Sequence, residues 1–110
     1  MGETIREILV AEEVMSHLVR IVRATHPDAE NTSKEVIQYV RNGASPRAAQ
    51  SILAASKARA LLDGRFHVSK EDVEAVAIPA LRHRLILSFE GEAEGIDPDN
   101  IIQTAIAKCR

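Results

Sequence analysis

Ser45-Pro46-Arg47-Ala48-Ala49-Gln50-Ser51-Ile52-Leu53-Ala54-Ala55-Ser56-Lys57-Ala58-Arg59-Ala60-Leu61-Leu62-Asp63-Gly64 is the stretch on which the fold turns. Serine followed by proline marks a helix start. The hydroxyl suits the N-cap, and proline suits the first helical position, where its missing N–H has no partner to lose. Ala48, Ala49, Ala54, Ala55, Ala58 and Ala60 favour helix and let neighbours approach closely. Ile52, Leu53, Leu61 and Leu62 are expected to supply the larger apolar contacts. Gly64 ends the run, so the spacing predicts one helix from Pro46 to about Asp63.

Upstream, Ala11, Val14, Met15, Leu18, Val19, Ile21 and Val22 repeat at the spacing of a helix with one buried face. His26-Pro27-Asp28 stops that helix at about Thr25. Residues 3 to 8 read as a further helical piece, with a break at Leu9-Val10. Ala29 to Thr32 reads as a polar surface loop. Ser33 caps a short helix to about Arg41, with Val36, Ile37 and Val40 facing inward. Asn42-Gly43, two residues that tolerate the left-handed conformation, break it.

Downstream, Arg65 to Val68 is short and β-prone. Ser69 with Asp72 resembles a capping box and opens a helix from Lys70 to about Ile78. Pro79 punctuates it, and Ala80 to Arg84 add one more turn. Leu85 to Phe89 is a second β-prone run, expected to pair with residues 65 to 68. Glu90 to Gly95 reads as an acidic loop. Asp97-Pro98 opens a last helix with Ile101, Ile102, Ala105 and Ile106 on one face. The expected fold is mainly α: one compact helical bundle over residues 1–110 with one short two-stranded β pairing.

Composition narrows the function. The chain has 110 residues, too few for a complete barrel enzyme of about 250 residues. Fourteen Lys and Arg against sixteen Asp and Glu give no general attraction to nucleic acid or anionic membrane. No uncharged apolar run approaches the roughly 20 residues of a membrane helix. One cysteine, Cys109, makes no internal disulfide, which suits a reducing cytoplasm. Aromatic residues are only 3%, so Ile, Leu, Val and Ala must form the core of closely packed helices.

Catalytic chemistry is missing. There is no Gly-rich phosphate loop, no paired cysteine and no His-Glu-x-x-His zinc pattern. His17, His26, His67 and His83 are isolated, and each reads as a surface or partly buried structural residue. The Glu13–His17 spacing is weak evidence for a metal, and no metal site is expected. Cys109, beside Lys108 and Arg110, reads as a semi-exposed thiol. Ser45 and Ser69 stand at helix caps with no neighbouring base to activate them. No catalytic residue is expected.

One residue conflicts with its surroundings. Arg47 puts a positive charge in the first turn of the third helix, where the helix dipole is already positive, at a cost of about 0.3–1 kcal/mol when exposed. An anion at that helix end, such as a phosphate, removes the conflict by drawing Arg47 and the free backbone N–H groups together. The ordinary alternative is an Arg47 that extends into solvent or pairs with a carboxylate. A second cationic cluster, Arg82-His83-Arg84, reads first as a solvated basic edge, and otherwise as a contact for phosphate, nucleic acid or an acidic surface. The acidic Glu90, Glu92 and Glu94 complement it, within one chain or between subunits.

Four blocks in register carry a family resemblance. They are Gly43-Ala44-Ser45-Pro46-Arg47-Ala48, Ala58-Arg59-Ala60-Leu61-Leu62-Asp63-Gly64-Arg65, Val68-Ser69 with Glu71-Asp72-Val73, and Pro79-Ala80-Leu81-Arg82-His83-Arg84-Leu85. Ala93-Glu94-Gly95-Ile96 and Arg20-Ile21-Val22-Arg23-Ala24-Thr25 extend the match to roughly residues 10 to 106. The sequence resembles the C-terminal helical lid of AAA+ ATPases of the MoxR family. The resemblance implies that Arg47 is the second sensor residue, facing the nucleotide phosphates. Ala44, Ser45, Pro46 and Ala48 would form its supporting helix start. Arg82, His83 and Arg84 would then serve an inter-domain or inter-subunit contact.

The same resemblance implies a chaperone-type ATPase that remodels clients or inserts metal cofactors, usually as a hexameric ring. Its partners would be its own core domain, neighbouring subunits and a client, with no nucleic acid and no membrane. ATP and Mg would bind the full-length ATPase only, because the phosphate loop, acidic Mg motif, first sensor and arginine finger belong to a core domain whose motifs are missing here. Met1-Gly2 falls near the family's lid boundary, which fits an excised domain, a fragment or a stand-alone lid. The competing readings are a helical nucleic-acid-binding module, against which the thin basic face of the third helix counts, and a protein-interaction or oligomerisation module.

Overall fold

The computed structural model describes residues 9–29 and 32–109. The helical piece expected over residues 3 to 8 lies outside them. In chain order the elements are β1 (Leu9–Val10), α1 (Glu12–Ala24), α2 (Lys34–Tyr39), β2 (Val40–Asn42) and α3 (Pro46–Leu62). They continue as β3 (His67–Val68), α4 (Lys70–Arg82), β4 (Ile86–Leu87), α5 (Phe89–Ala93) and α6 (Pro98–Cys109). The fold is mainly helical, as expected, with two small sheets instead of one.

Helices α1, α3, α4 and α6 enclose the main core. Leu18 and Ile21 from α1 meet Ile52 of α3, Val73 and Leu81 of α4, and Ile102 and Ile106 of α6. Burying each of these large aliphatic side chains is worth about 1.5–3 kcal/mol. The inward face expected of α6 is the one observed, with Ile101, Ile102, Ala105 and Ile106 all buried. In α1, Met15 and Val19 sit half-exposed at the edge of the stripe, and His17 takes an inner place. Its Nε2 donates to Glu74 Oε2 at 2.8 Å, tying α1 to α4, and its Nδ1 is buried without a hydrogen-bond partner among the described residues.

A smaller lobe lies beside this core. Val36, Val40 and Ile101 pack with Tyr39, Leu85, Leu87 and Ile96. Ile37, expected inside, is exposed, because Val36 and Tyr39, three residues apart on α2, take its inner face. Thr32, expected in a surface loop, is buried, and its hydroxyl donates to Ala24 O at the end of α1.

Strand pairing departs from expectation. Residues 65 to 68 do not pair with 85 to 89. Instead β1 and β3 run parallel, with Leu9 opposite His67 and Val10 opposite Val68. β2 and β4 run antiparallel, with Val40 opposite Leu87 and Asn42 opposite Ile86. Strands of two or three residues carry too little side-chain alternation to specify a partner.

Two further corrections concern helix limits. α4 continues through Pro79 to Arg82. Proline there deprives the Ala75 carbonyl of its helical donor, but both residues lie on the exposed face, where water can serve that oxygen. The stretch read as an acidic loop opens with a short helix, α5, capped by the Ser88 hydroxyl accepting from Gly91 N. Among the α3 leucines, Leu61 packs on the core while Leu62 is 87% exposed.

The turn from α3 to α4 is densely bonded. Gly64 adopts φ +73°, which lets Arg65 N reach back to Ala60 O at 2.9 Å. The expected capping box is present at Ser69 and Asp72. Asp72, 1% exposed, then takes three further cationic bonds. Arg65 clamps it through both terminal nitrogens, at 2.8 and 2.7 Å, and Arg59 Nε adds a third at 3.1 Å. The clamp by Arg65 comes first among the causes that hold the Asp72 carboxyl well below the usual carboxylate range; burial opposes it, and the Ser69 bonds assist.

This network has a pH signature. The depressed folded-state value means that Asp72 contributes stability in full above its unfolded value of about 3.9. That contribution is lost as the pH falls below it toward the folded value. Asp72→Asn turns one acceptor oxygen into a donor facing Arg65 and Ser69. It is expected to cost about 1–3 kcal/mol at pH 7 and to flatten the acid limb of a urea-denaturation series between pH 5 and about pH 2.

Candidate functional site

The approach to α3 is built from two residues at the far end of α1. Thr25, fully buried, donates its hydroxyl to Val22 O at 2.6 Å and accepts from Ala44 N at 3.1 Å. His26 Nε2 lies 2.7 Å from Ala44 O. A carbonyl only accepts, so this ring nitrogen carries the proton. Both backbone groups of buried Ala44 are therefore fixed, one residue before the N-cap of α3. Gly43 is not left-handed, contrary to expectation; φ is positive only at Gly64 and Gly95 among the described glycines. Its role is close approach: a Cβ would stand 2.7 Å from both the Thr25 oxygen and the His26 ring.

This clamp sets where Arg47 emerges. Ala48 is buried and anchors the first turn, while Ser45, Pro46 and Arg47 are exposed. The Ser45 hydroxyl makes no cap bond, contrary to its expected role, and Ala48 N bonds only the Ser45 carbonyl. Arg47 forms no ion pair with any described residue. The first turn of α3 contains no acidic side chain. A cation, a helix start and an unused hydroxyl thus share one exposed corner, the chemistry that receives an anion.

The basic cluster expected at 82 to 84 is divided. Arg82 forms a bidentate pair with Asp99 at the start of α6, at 2.7 and 2.8 Å, and each partner stabilises the charged form of the other. Asp99, not the Glu90-Glu92-Glu94 stretch, answers the cluster; Glu90 instead accepts from Gln38. His83 caps the end of α4 and is exposed. Arg84 reaches across to Ser51 Oγ at 3.2 Å. Ser51 lies four residues after Arg47, on the same side of α3 one turn further along. The structure therefore gathers Arg47 and Arg84 along one helix face, although they are 37 residues apart in sequence.

Other candidates fall away. His17 and Glu13 do not meet, since His17 bonds Glu74. Among the described residues no three His, Cys, Asp or Glu side chains converge as metal ligands. Cys109 is half-buried, and burial, the largest cause, pushes its thiol up. No helix among the described residues is long and apolar enough to cross a membrane.

A helical lobe whose α3 start carries an exposed cation and no acidic side chain in its first turn, held by a clamp to a neighbouring helix, is the architecture to compare with known proteins. The AAA lid domain family matches residues 34–105, and the chain belongs to that family. Within it the chain is a lid of the MoxR-like type. It is 36% identical over 97 residues to Chaperone MoxR1 of Mycobacterium tuberculosis, covering 88% of this chain and 26% of that protein. It is 38% identical over 66 residues to Protein MoxR of Paracoccus denitrificans, covering 58% and 20%. A crystal structure of a Cytophaga hutchinsonii protein assigned as an ATPase superposes with a TM-score of 0.91 at 36% identity, covering 96% of this chain and 32% of that one. The chain thus spans about a quarter of the length of the curated relatives it matches.

The clamp is testable apart from nucleotide. Gly43→Ala pushes a methyl into His26 and the Thr25 carbonyl. It is expected to destabilise the fold by about 1–3 kcal/mol. A lowered thermal midpoint and altered His26 ring resonances in NMR spectra are the measurements.

Proposed function

We propose that the chain is the nucleotide-sensing lid of a MoxR-like AAA+ ATPase, one helical domain that carries no catalysis by itself. The observation that supports this most directly is Arg47: an exposed cation, without an ion-pair partner among the described residues, on a first helical turn with no acidic side chain. In this reading Arg47 faces the phosphates of ATP, and Mg is held by the core domain. Ala44, Ser45, Pro46 and Ala48 position it. Thr25 and His26, which sequence reasoning did not single out, hold that segment from behind.

The full-length protein would hydrolyse ATP in the cytoplasm, as a ring of subunits, to remodel a client protein or mature its metal cofactor. The names of the relatives, chaperone and MoxR, support the chaperone part of the reading. His83 and Arg84 remain available for contact with the core or a neighbouring subunit, while Arg82 is already committed to Asp99. A nucleic-acid-binding reading is weaker for the same reason, since it loses one of the few cations on offer.

The test is Arg47→Ala in the full-length ATPase. Loss of one charge-assisted contact to the reacting phosphates should lower kcat at least about tenfold. Because the side chain is exposed, the thermal midpoint of the lid should not move. Unchanged turnover would reject the sensor role.

A further inference from the structure

The smaller lobe presents a surface that the nucleotide-facing reading leaves unused. Phe89, at the start of α5, is 91% exposed, Ile37 on α2 is 58% exposed and Ile86 on β4 is 51% exposed. These three belong to elements joined to one another. Ser88 N donates to Tyr39 O at 2.8 Å, the Ser88 hydroxyl donates to Gln38 O, and β4 pairs with β2. Exposed large apolar side chains on adjoining elements are a mark of an interaction site.

The charge around them is of one predominant sign. Glu35, Glu90, Glu92 and Glu94 are all exposed on this lobe, against Lys34 and Arg41. Burial first, then the nearby charges of Glu94, Glu90 and Glu35, raise the pKa of the Tyr39 phenol above the ordinary value of 10. Four exposed glutamates against two cations make this lobe acidic, although the chain as a whole carries only −2.

We propose that this lobe is a docking surface for a cationic amphipathic helix of a partner protein. The apolar residues Phe89, Ile37 and Ile86 receive the partner's leucine-type side chains. Glu90, Glu94 and Glu35 receive its arginines or lysines. Charge complementarity favours this occupant over a second copy of the lid or an anionic membrane. The proposal stands independently of Arg47, which lies on the other lobe.

Tyr39 makes the test specific, because it is the only tyrosine and the chain has no tryptophan. The probe is a helical Arg/Leu peptide of about 16 residues without Tyr or Trp, titrated into the 110-residue chain while Tyr39 fluorescence is followed. Carboxylates near a phenol quench its fluorescence, so arginines that engage Glu94 and Glu90 should brighten it saturably. Phe89→Ser and the double change Glu90→Gln with Glu94→Gln should each weaken binding at least about tenfold. Arg47→Ala should leave it unchanged. Phe89 is almost wholly exposed, and an unaltered thermal melt will confirm that its variant folds. A sequence-scrambled peptide that binds equally well would reduce the effect to bulk charge and overturn the proposal. So would absence of saturation, or amide shift changes centred outside α2, β4 and α5.

Discussion

A carboxylate sealed away from water must be fully bonded, and at Asp72 that constraint organises the fold. Satisfying it takes the Ser69 backbone and hydroxyl, the Arg65 fork and Arg59. These groups come from α3, the turn and α4, so they are compatible with one crossing of the two helices. Removing any one leaves a buried charge short of partners, which costs more than the bond itself is worth. Once α3 and α4 are set, their apolar faces define the space that α1 and α6 fill. β1 then has a ready edge in β3.

The two ends of α3 are therefore held by different means. Its C-terminal end is held by ion pairs around Asp72. Its N-terminal end is held by neutral hydrogen bonds from Thr25 and His26 to Ala44. Neither set uses Arg47, so the residue proposed to meet phosphate carries no structural duty. That separation suits a sensor, since a group needed for folding has less freedom to change partners.

Features encoded within four or five residues were legible from sequence. The Ser69–Asp72 box, the Pro46 and Pro98 helix starts, the Gly64 stop and the inward face of α6 all depend on local spacing. Arg47 stood out for the same reason, a charge set against its own helix dipole. What was not legible depends on distant partners. The β1–β3 pair joins residues 58 apart, and the His17–Glu74 bond joins residues 57 apart. Gly43 looked like a turn glycine, but its lack of a side chain serves the approach of a histidine 17 positions earlier. Pro79 looked like a terminator because sequence does not reveal which carbonyl faces water. The acidic composition of residues 90 to 95 obscured α5, although Ser88 was a usable cap signal.

The parallel pairing of β1 with β3 has a mechanical meaning. It fastens the chain's entry into this fold to the C-terminal end of α3. Arg47 stands 15 residues away along the same helix, about 22 Å at 1.5 Å per residue. Because Thr25 and His26 hold its other end, α3 turns only with the whole lobe, with the β1–β3 pair as bearing and the cation at the far end. A tilt of about 10° at the bearing carries the cation through about 4 Å, more than a hydrogen-bond length. A small rotation of the lobe about Leu9–Val10 would be enough to make or break the phosphate contact proposed for Arg47.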